Sequence, residues 1–569
     1  MKVSDFITQF LIEKNIQKCF SVTGGFAMHM NDSFGQKLDV TYTHGENPAG
    51  YAALGWSSYE HNPSICCVTS GCGATNAITP CLIAYQDSVP VFFISGQVHH
   101  KDNIRSYGGK IRGYFGSDCD IVECVKSITK CAIELTDPKD TLKVLQECYY
   151  NLTNDRLGPV WLSIPVDIQS LQVTENPVKW LPPLNNLNST FSKEFIETWS
   201  KSKRPIVLAG NGIHLSKTKE KFRNFIKYHN IPYVVSFFGI DLGNDYTGKV
   251  GIVGNRSGNF AIQNADLIIC LGCRLSKGIT GYKRELFARE AKIVYVDIDK
   301  TEFIEDKKID IHIHMNLKTF FEKKLPKLKL NENWIQKNKK WKELWYEELP
   351  EKNGKFICPY KHLNNFFKLK ESNSIITASS GSIYNIIWHM FIYKDNDRFI
   401  SSSHGDMGYE FPVAIGASFH NKRVYSILGD GSFQYNIQEL ETIKRKNLPV
   451  TVMIFNNFSY GAIKITQNTV FKREYGTSSS SDLSFCDIKR IADAYNIPYY
   501  KVDNDSDLSY INHNNGPIIV EIQCNVQERY PKVSNKPQPD GSFKNMPYEE
   551  MAPFLDDKTL EDNLFIKRI

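Results

Sequence analysis

Val424–Gly461 reads "VYSILGDGSFQYNIQELETIKRKNLPVTVMIFNNFSYG". A short β-branched run ends in Gly429-Asp430-Gly431, a helical pattern follows from Ser432, and a second apolar run ends in Asn456-Asn457. "VYSIL" and "LPVTVMIF" have the length and composition of buried strands, and "FQYNIQELETIKRK" has the apolar spacing of a helix packed on a sheet. Strand, helix and strand in that order predict a right-handed βαβ unit. Both Asp430 and Asn457 then stand at carboxyl ends of parallel strands, where open α/β sheets bind ligands. A carboxylate, an amide oxygen and a backbone carbonyl suit a hard cation such as Mg²⁺, whose shell phosphate oxygens and water complete. Glycines beside Asp430 and a helix start at Ser432 favour an anion next to the cation. A lone GDG would more often be a helix cap; the Asn pair at the neighbouring strand end favours a metal–diphosphate site.

The same alternation runs outward from this unit. "ICCVTS", "VPVFFISG" and "GPVWLSIP" predict a first α/β domain over residues 1–170. A polar, Pro-rich stretch around 171–200 reads as a linker. "RPIVLAGNGI", "IPYVVSFFG", "ADLIICLG" and "AKIVYVDID" predict a central α/β domain over 186–345, closed by a charged helix near 331–352. "SIITASSG" and "GPIIVEIQ" extend the opening unit into a third over 355–569. Its tail from about Asn525 reads as too polar for a core, so it should wrap the surface or cover a site. The fold class is therefore α/β, with three doubly wound parallel-sheet domains.

Composition sets the remaining limits. The 569 residues exceed one core, and no apolar run approaches the roughly 18 residues of a membrane span. The first helix, with its cap near Ser4, carries Glu13 and Lys14 and is no signal-peptide core. The 14 cysteines are scattered, which fits reduced thiols and a cytoplasmic location; Cys270 and Cys273 end a strand pattern and read as buried structural thiols. The net charge of +6 is dispersed, and its Lys-rich pieces suit solvated helix faces better than nucleic-acid binding.

GDG followed at this spacing by NN resembles the signature of thiamine diphosphate enzymes. "SVTGGFAMHMND", "VTSGCGATNAITP", "VPVFFISGQV", "GNRSGNFAIQNADLIICLG" and "GDMGYEFPVAIGA" extend the likeness over most of the chain. It looks closest to acetolactate-synthase-like members, in a branch that resembles those of surface-glycan and nucleotide-sugar pathways. The resemblance implies pyrimidine-binding, central and diphosphate-binding domains, thiamine diphosphate and Mg²⁺ as cofactors, and Asp430, Asn457 and the Ser459 carbonyl as metal ligands. It implies Glu46 of "THGENPAGYAALG" as the catalytic carboxyl on the pyrimidine; without it, Glu46 would read as a carboxylate favoured by a helix start. In the family a His usually precedes that Glu directly, whereas here Gly45 separates it from His44.

Further cofactor contacts are expected from Gly24, Gly25 and Asn76, from Ser380, Gly381 and Ser382, and from Gly405 and a ring-separating Met407. Gly429, Gly431, Ser432, Tyr460, Gly461 and Ala462 complete the set. Because such sites join two chains, a homodimer or homotetramer is expected. The implied reaction takes a 2-oxo acid, pyruvate first, and transfers its two-carbon acyl unit to a carbonyl acceptor. A Trp that many acetolactate synthases carry after NN is replaced near Thr466, and a Gln-Glu pair by Ser117-Asp118, so transfer to a keto-sugar nucleotide is an alternative. FAD would lie along Gly210–His214 and Gly272–Gly281, but Gly278 replaces a family Arg and flavin is not favoured. A flavin-dependent 2-oxo acid oxidase and a catalytically silent homologue are the remaining alternatives.

Overall fold

The structure, a computed structural model, describes residues 1–569 except 175–177, 184–186, 188–189, 350–354, 513–515, 526–531 and 534. Three parallel sheets organise the chain. The first holds β1 (Lys18–Ser21), β2 (Asp39–Tyr42), β3 (Ser64–Val68), β4 (Val91–Gln97), β5 (Cys131–Glu134) and β6 (Val160–Pro165), in the order β2-β1-β3-β4-β6-β5. The central one holds β7 (Pro205–Ala209), β8 (Tyr233–Val235), β9 (Leu267–Leu271), β10 (Lys292–Asp297) and β11 (Ile311–His314), in the order β11-β10-β9-β7-β8. The third holds β12 (Ile375–Thr377), β13 (Arg398–Ile400), β14 (Val424–Gly429), β15 (Val450–Asn456), β16 (Tyr499–Lys501) and β17 (Ile518–Gln523), ordered β13-β12-β14-β15-β17-β16. Counted within each unit, the outer sheets share one topology, a repeat that the divergent side chains conceal.

Both faces of these strands are covered by helices, so they read as continuous apolar runs without alternation; β3, β7, β9 and β15 are buried along their whole length. The first and third units also share a core. The helix Glu46–Glu60 crosses the helix Glu410–Ser418 so closely that a Cβ on Gly416 would lie 1.8 Å from the Ala52 carbonyl oxygen. Tyr51, Ala52, Val413 and Ile415 fill the seam.

Four local readings need correction. The first helix starts at Val3 with Lys2 at its cap, and Ser4 is its second residue, buried against the Ser33 hydroxyl. The linker is shorter than 171–200, because Ser192 caps a helix Lys193–Lys201 that buries Phe195 and Trp199. The helix expected after Ser432 is broken: Asp430–Phe433 is followed by a 3₁₀ stretch Gln434–Glu439, kinked at Asn436, and then Leu440–Arg445.

The tail differs most. Part of it, 526–531 and 534, lies outside the described residues. Beyond these, two short antiparallel pairings lead into a segment that packs on the central unit. Tyr548, Met551 and Leu560 are buried there, and Phe565 packs edge-on against Trp334 and Trp341 of the helix Glu332–Trp345. Glu549, wholly buried, accepts hydrogen bonds from Arg289 at 2.7 Å and Gln263 at 2.6 Å. The buried guanidinium of Arg256 donates to the carbonyls of Met551 and Pro553. A few well-spaced apolar residues and one satisfied buried ion pair thus make core from a segment whose average composition is polar. Among the described residues no helix is long and apolar enough to cross a membrane.

Candidate active site

Register fixes the centre of the site. β14 and β15 pair in parallel with Gly429 opposite Phe455, so Asp430 and Asn457 are the first residues beyond two neighbouring strand ends. The Asp430 carboxylate accepts the Gly431 N–H at 2.8 Å on one oxygen and the Asn457 N–H at 3.2 Å on the other. Burial pushes its pKa up to about 6 against these backbone donors. Among the described residues no lysine or arginine forms an ion pair with it. The Asn457 side-chain oxygen accepts the Ser459 N–H at 3.1 Å, and the Ser459 carbonyl accepts the Gly461 N–H at 2.8 Å. Between them Phe458 takes a left-handed conformation, φ 53°, with its ring half-exposed; an aromatic residue rarely adopts it, and here it turns the chain back onto the site.

These residues line one pocket of about 250 Å³. Every lining residue falls between Ser380 and Ile463. The expected contacts Ser380, Gly381, Ser382, Gly405, Met407, Gly429, Gly431, Ser432, Tyr460, Gly461 and Ala462 are all present in its wall. Ser380 caps the helix Gly381–Met390, whose N-terminus opens on the pocket. Gly381 has φ 74° with open space where a side chain would stand, and the Ser382 hydroxyl is buried without a protein partner. Opposite, a Cβ on Gly431 would meet the Tyr460 ring at 2.2 Å and the Met407 methyl at 3.2 Å, which confines these two side chains to the pocket edge.

The donor set fits the expected groups. One carboxylate, one amide oxygen and one carbonyl are too few to satisfy a divalent ion alone, and no cluster of three or more acidic, His or Cys side chains occurs among the described residues. A hard ion held here needs oxygens from a ligand, and an open helix N-terminus facing the same space suits a diphosphate.

The structure gathers the other predicted residues elsewhere. Glu46 begins the helix Glu46–Glu60, and its carboxylate accepts from the Asn76 side-chain amide at 3.0 Å. A Cβ on Gly73 would lie 3.3 Å from the other Glu46 oxygen and 2.6 Å from Thr69, while one on Gly24 would strike Thr69 at 2.4 Å. Gly24, Gly25, Thr69, Asn76 and Glu46 thus group at the carboxyl edge of the first sheet, outside the pocket of the third. His44 turns to solvent and its N–H donates to Glu439 at 2.8 Å.

Glu410 was missed. Its buried carboxylate binds Ser380 and Ser432 from behind the pocket. In sequence it stands at a helix start before "FP", where a carboxylate ordinarily faces water, so nothing in the pattern marks it. Gly210–His214 and Gly272–Gly281 border a separate 390 Å³ pocket between the first and central units, where Gly212, Gly272, Arg274 and Asp297 meet Asp87 and Arg156; burial pushes Asp297 up to about 6. Gly278 lies outside it, its carbonyl accepting the Ile252 N–H. Cys270 and Cys273 are buried free thiols.

Three parallel α/β units, with a pocket between two strand tips and an open helix N-terminus, are the architecture expected of a thiamine diphosphate enzyme. Family models agree along the chain: "Thiamine pyrophosphate enzyme, N-terminal TPP binding domain" matches residues 1–123, the central domain of the same family 193–324, and its C-terminal TPP binding domain 379–522. The chain belongs to this family, as an acetolactate-synthase-like member. It is 28% identical to the probable acetolactate synthase large subunit of Methanocaldococcus jannaschii, over 96% of this chain and 95% of that protein. It is 29% identical to the acetolactate synthase large subunit of Lactococcus lactis subsp. lactis, over 92% and 93%. Against acetolactate synthase 1 of Nicotiana tabacum it is 28% identical, over 89% and 79%.

Proposed function

We propose that the protein is a Mg²⁺-dependent carboligase that decarboxylates a 2-oxo acid, with pyruvate as the first candidate, and joins the two-carbon acyl unit to a carbonyl acceptor. The observation that carries this reading is the convergence of Asp430, Asn457 and Ser459 at two strand tips facing the open N-terminus of Gly381–Met390. Asp430, Asn457 and the Ser459 carbonyl would hold the ion, and the N–H groups at the start of Gly381–Met390 would receive the diphosphate. When bound, the cofactor supplies the carbon nucleophile that releases CO₂ from the 2-oxo acid. Met407, in the pocket wall, would pack against the cofactor rings. Glu46, oriented by Asn76, holds a proton against the pyrimidine. Since among the described residues one chain lines the pocket only with residues 380–463, Glu46 would be delivered by a second copy, and the working unit is a homodimer or a homotetramer.

The acceptor is a second 2-oxo acid in the acetolactate synthase reading. One observation favours a more polar acceptor, such as a keto-sugar nucleotide. The helix Gly461–Val470 buries none of its residues, and Lys464 and Asn468 share with Asn457 and Ser459 a 340 Å³ pocket beside the ion site. Incubating the purified protein with pyruvate, with and without keto-sugar nucleotides, separates the two: acetolactate formed from pyruvate alone at an ordinary rate excludes the sugar acceptor. Neither reading needs a flavin, and a flavin spectrum in the purified protein would reopen the oxidase alternative.

A further inference from the structure

Glu410 places a buried negative charge directly behind a site built for an anion. The Ser380 N–H and hydroxyl both donate to one carboxylate oxygen at 2.8 Å, and the Ser432 hydroxyl donates to the other at 2.6 Å. The Ser432 oxygen in turn accepts the Gly408 N–H at 2.7 Å. While Glu410 is ionised, both serine hydroxyl protons and one backbone N–H at the pocket wall therefore point away from any ligand. The surroundings do not neutralise it. The titratable groups that face it are Tyr51 on the helix Glu46–Glu60, whose hydroxyl donates to Asp406, and its neighbour Tyr409. Among the described residues no cation pairs with it, and burial holds its pKa above the ordinary carboxylate range.

We propose that Glu410 is a positioning residue that couples diphosphate binding in this pocket to the uptake of one proton from solvent. The inference rests on the cofactor reading above. A protonated Glu410 donates at one oxygen where it formerly accepted, which frees at least one serine hydroxyl to turn toward a phosphate oxygen. It also removes a like charge at short range in a low-dielectric setting. The sign follows: an arriving anion raises the Glu410 pKa further, so affinity falls as pH rises above the value in the free protein. One linked proton makes that fall up to about tenfold per pH unit. A glutamine at this position mimics the protonated form, since its amide donates toward Ser432 while its oxygen still accepts from Ser380.

The test is to titrate thiamine diphosphate with Mg²⁺ into wild type and Glu410→Gln over about pH 6.5 to 9, reading tryptophan fluorescence. Titrations of the diphosphate and of Asp430 are common to both proteins and cancel in the comparison. The expected result is tighter binding by the variant at high pH, with a slope shallower than wild type by one proton. Infrared difference spectra of wild type alone supply a second readout, independent of whether the variant folds: binding should bring up a protonated-carboxyl C=O band. Equal slopes in the two proteins, or binding to wild type without that band, overturn the coupling while leaving the cofactor site standing. Failure of wild type to bind thiamine diphosphate at any pH overturns the cofactor reading itself, and the coupling with it.

Discussion

Asp430 and Asn457 directly follow neighbouring parallel strands, and the backbone N–H of Asn457 donates to the Asp430 carboxylate at 3.2 Å. This contact holds two ion-ligand candidates in register before any ion arrives. Asp430→Asn keeps the shape and removes the charge. Cofactor affinity in the presence of Mg²⁺ should fall roughly 100-fold, the scale of about 3 kcal/mol for a lost charge-assisted contact. Thermal stability of the cofactor-free protein should hold or rise, because an unpaired buried carboxylate disappears. Calorimetric titration and thermal melting read the two effects separately.

Glu46 and Asn76 meet at 3.0 Å outside the diphosphate pocket, so binding and chemistry should separate on mutation. Glu46→Gln is expected to leave thiamine diphosphate affinity nearly intact while CO₂ release from pyruvate drops by ~10²–10⁴-fold. Asn76→Ala should lower kcat more than it changes KM. Unchanged turnover in Glu46→Gln would remove Glu46 from the chemistry.

The placement of Asp430 and Asn457 at two neighbouring strand ends was legible because its logic is topological. Short apolar runs on either side of a helical pattern force a parallel pair, and a parallel pair puts both following residues at one edge. Glu410, Glu549 and the kink at Asn436 were not, since each depends on what a distant segment brings. The Glu410 carboxylate is held by Ser380 and Ser432 from two other segments of the third unit, and Glu549 by Arg289 and Gln263 of the central one. Composition alone had the tail wrap the surface or cover a site, yet Tyr548, Met551 and Leu560 are buried against the central unit.

That seating predicts a stability effect remote from catalysis. Glu549→Gln leaves Arg289 facing an uncharged partner in a buried position, at a cost of roughly 3 kcal/mol. Thermal melting should show a lower Tm. Cofactor affinity should match wild type, since the tail docks on the central unit; a large loss of affinity would show that it also shapes the site.

His362 gives a pH signature. It is buried in the third unit, hydrogen-bonded to the Tyr510 hydroxyl at 3.0 Å, and burial lowers its pKa to about 4. The unfolded chain protonates this ring near its ordinary value of about 6.5, so the unfolded state binds more protons between the two values. Stability from this residue is complete above about pH 6.5 and is lost as pH falls toward 4, by up to about 3 kcal/mol. His362→Gln should lose that part of the slope in denaturant titrations at several pH values; an unchanged slope would assign the acid sensitivity elsewhere.

The central claim is that an ion-held diphosphate on one chain meets Glu46 of another. Co-expressing Glu46→Gln with Asp430→Asn tests it most directly, because mixed dimers would contain one site with both native groups. The account predicts CO₂ release from pyruvate in the mixture, at limiting thiamine diphosphate with Mg²⁺, far above that of either variant alone. A mixture as silent as its parents, beside an active wild type and with mixed dimers present, would contradict it.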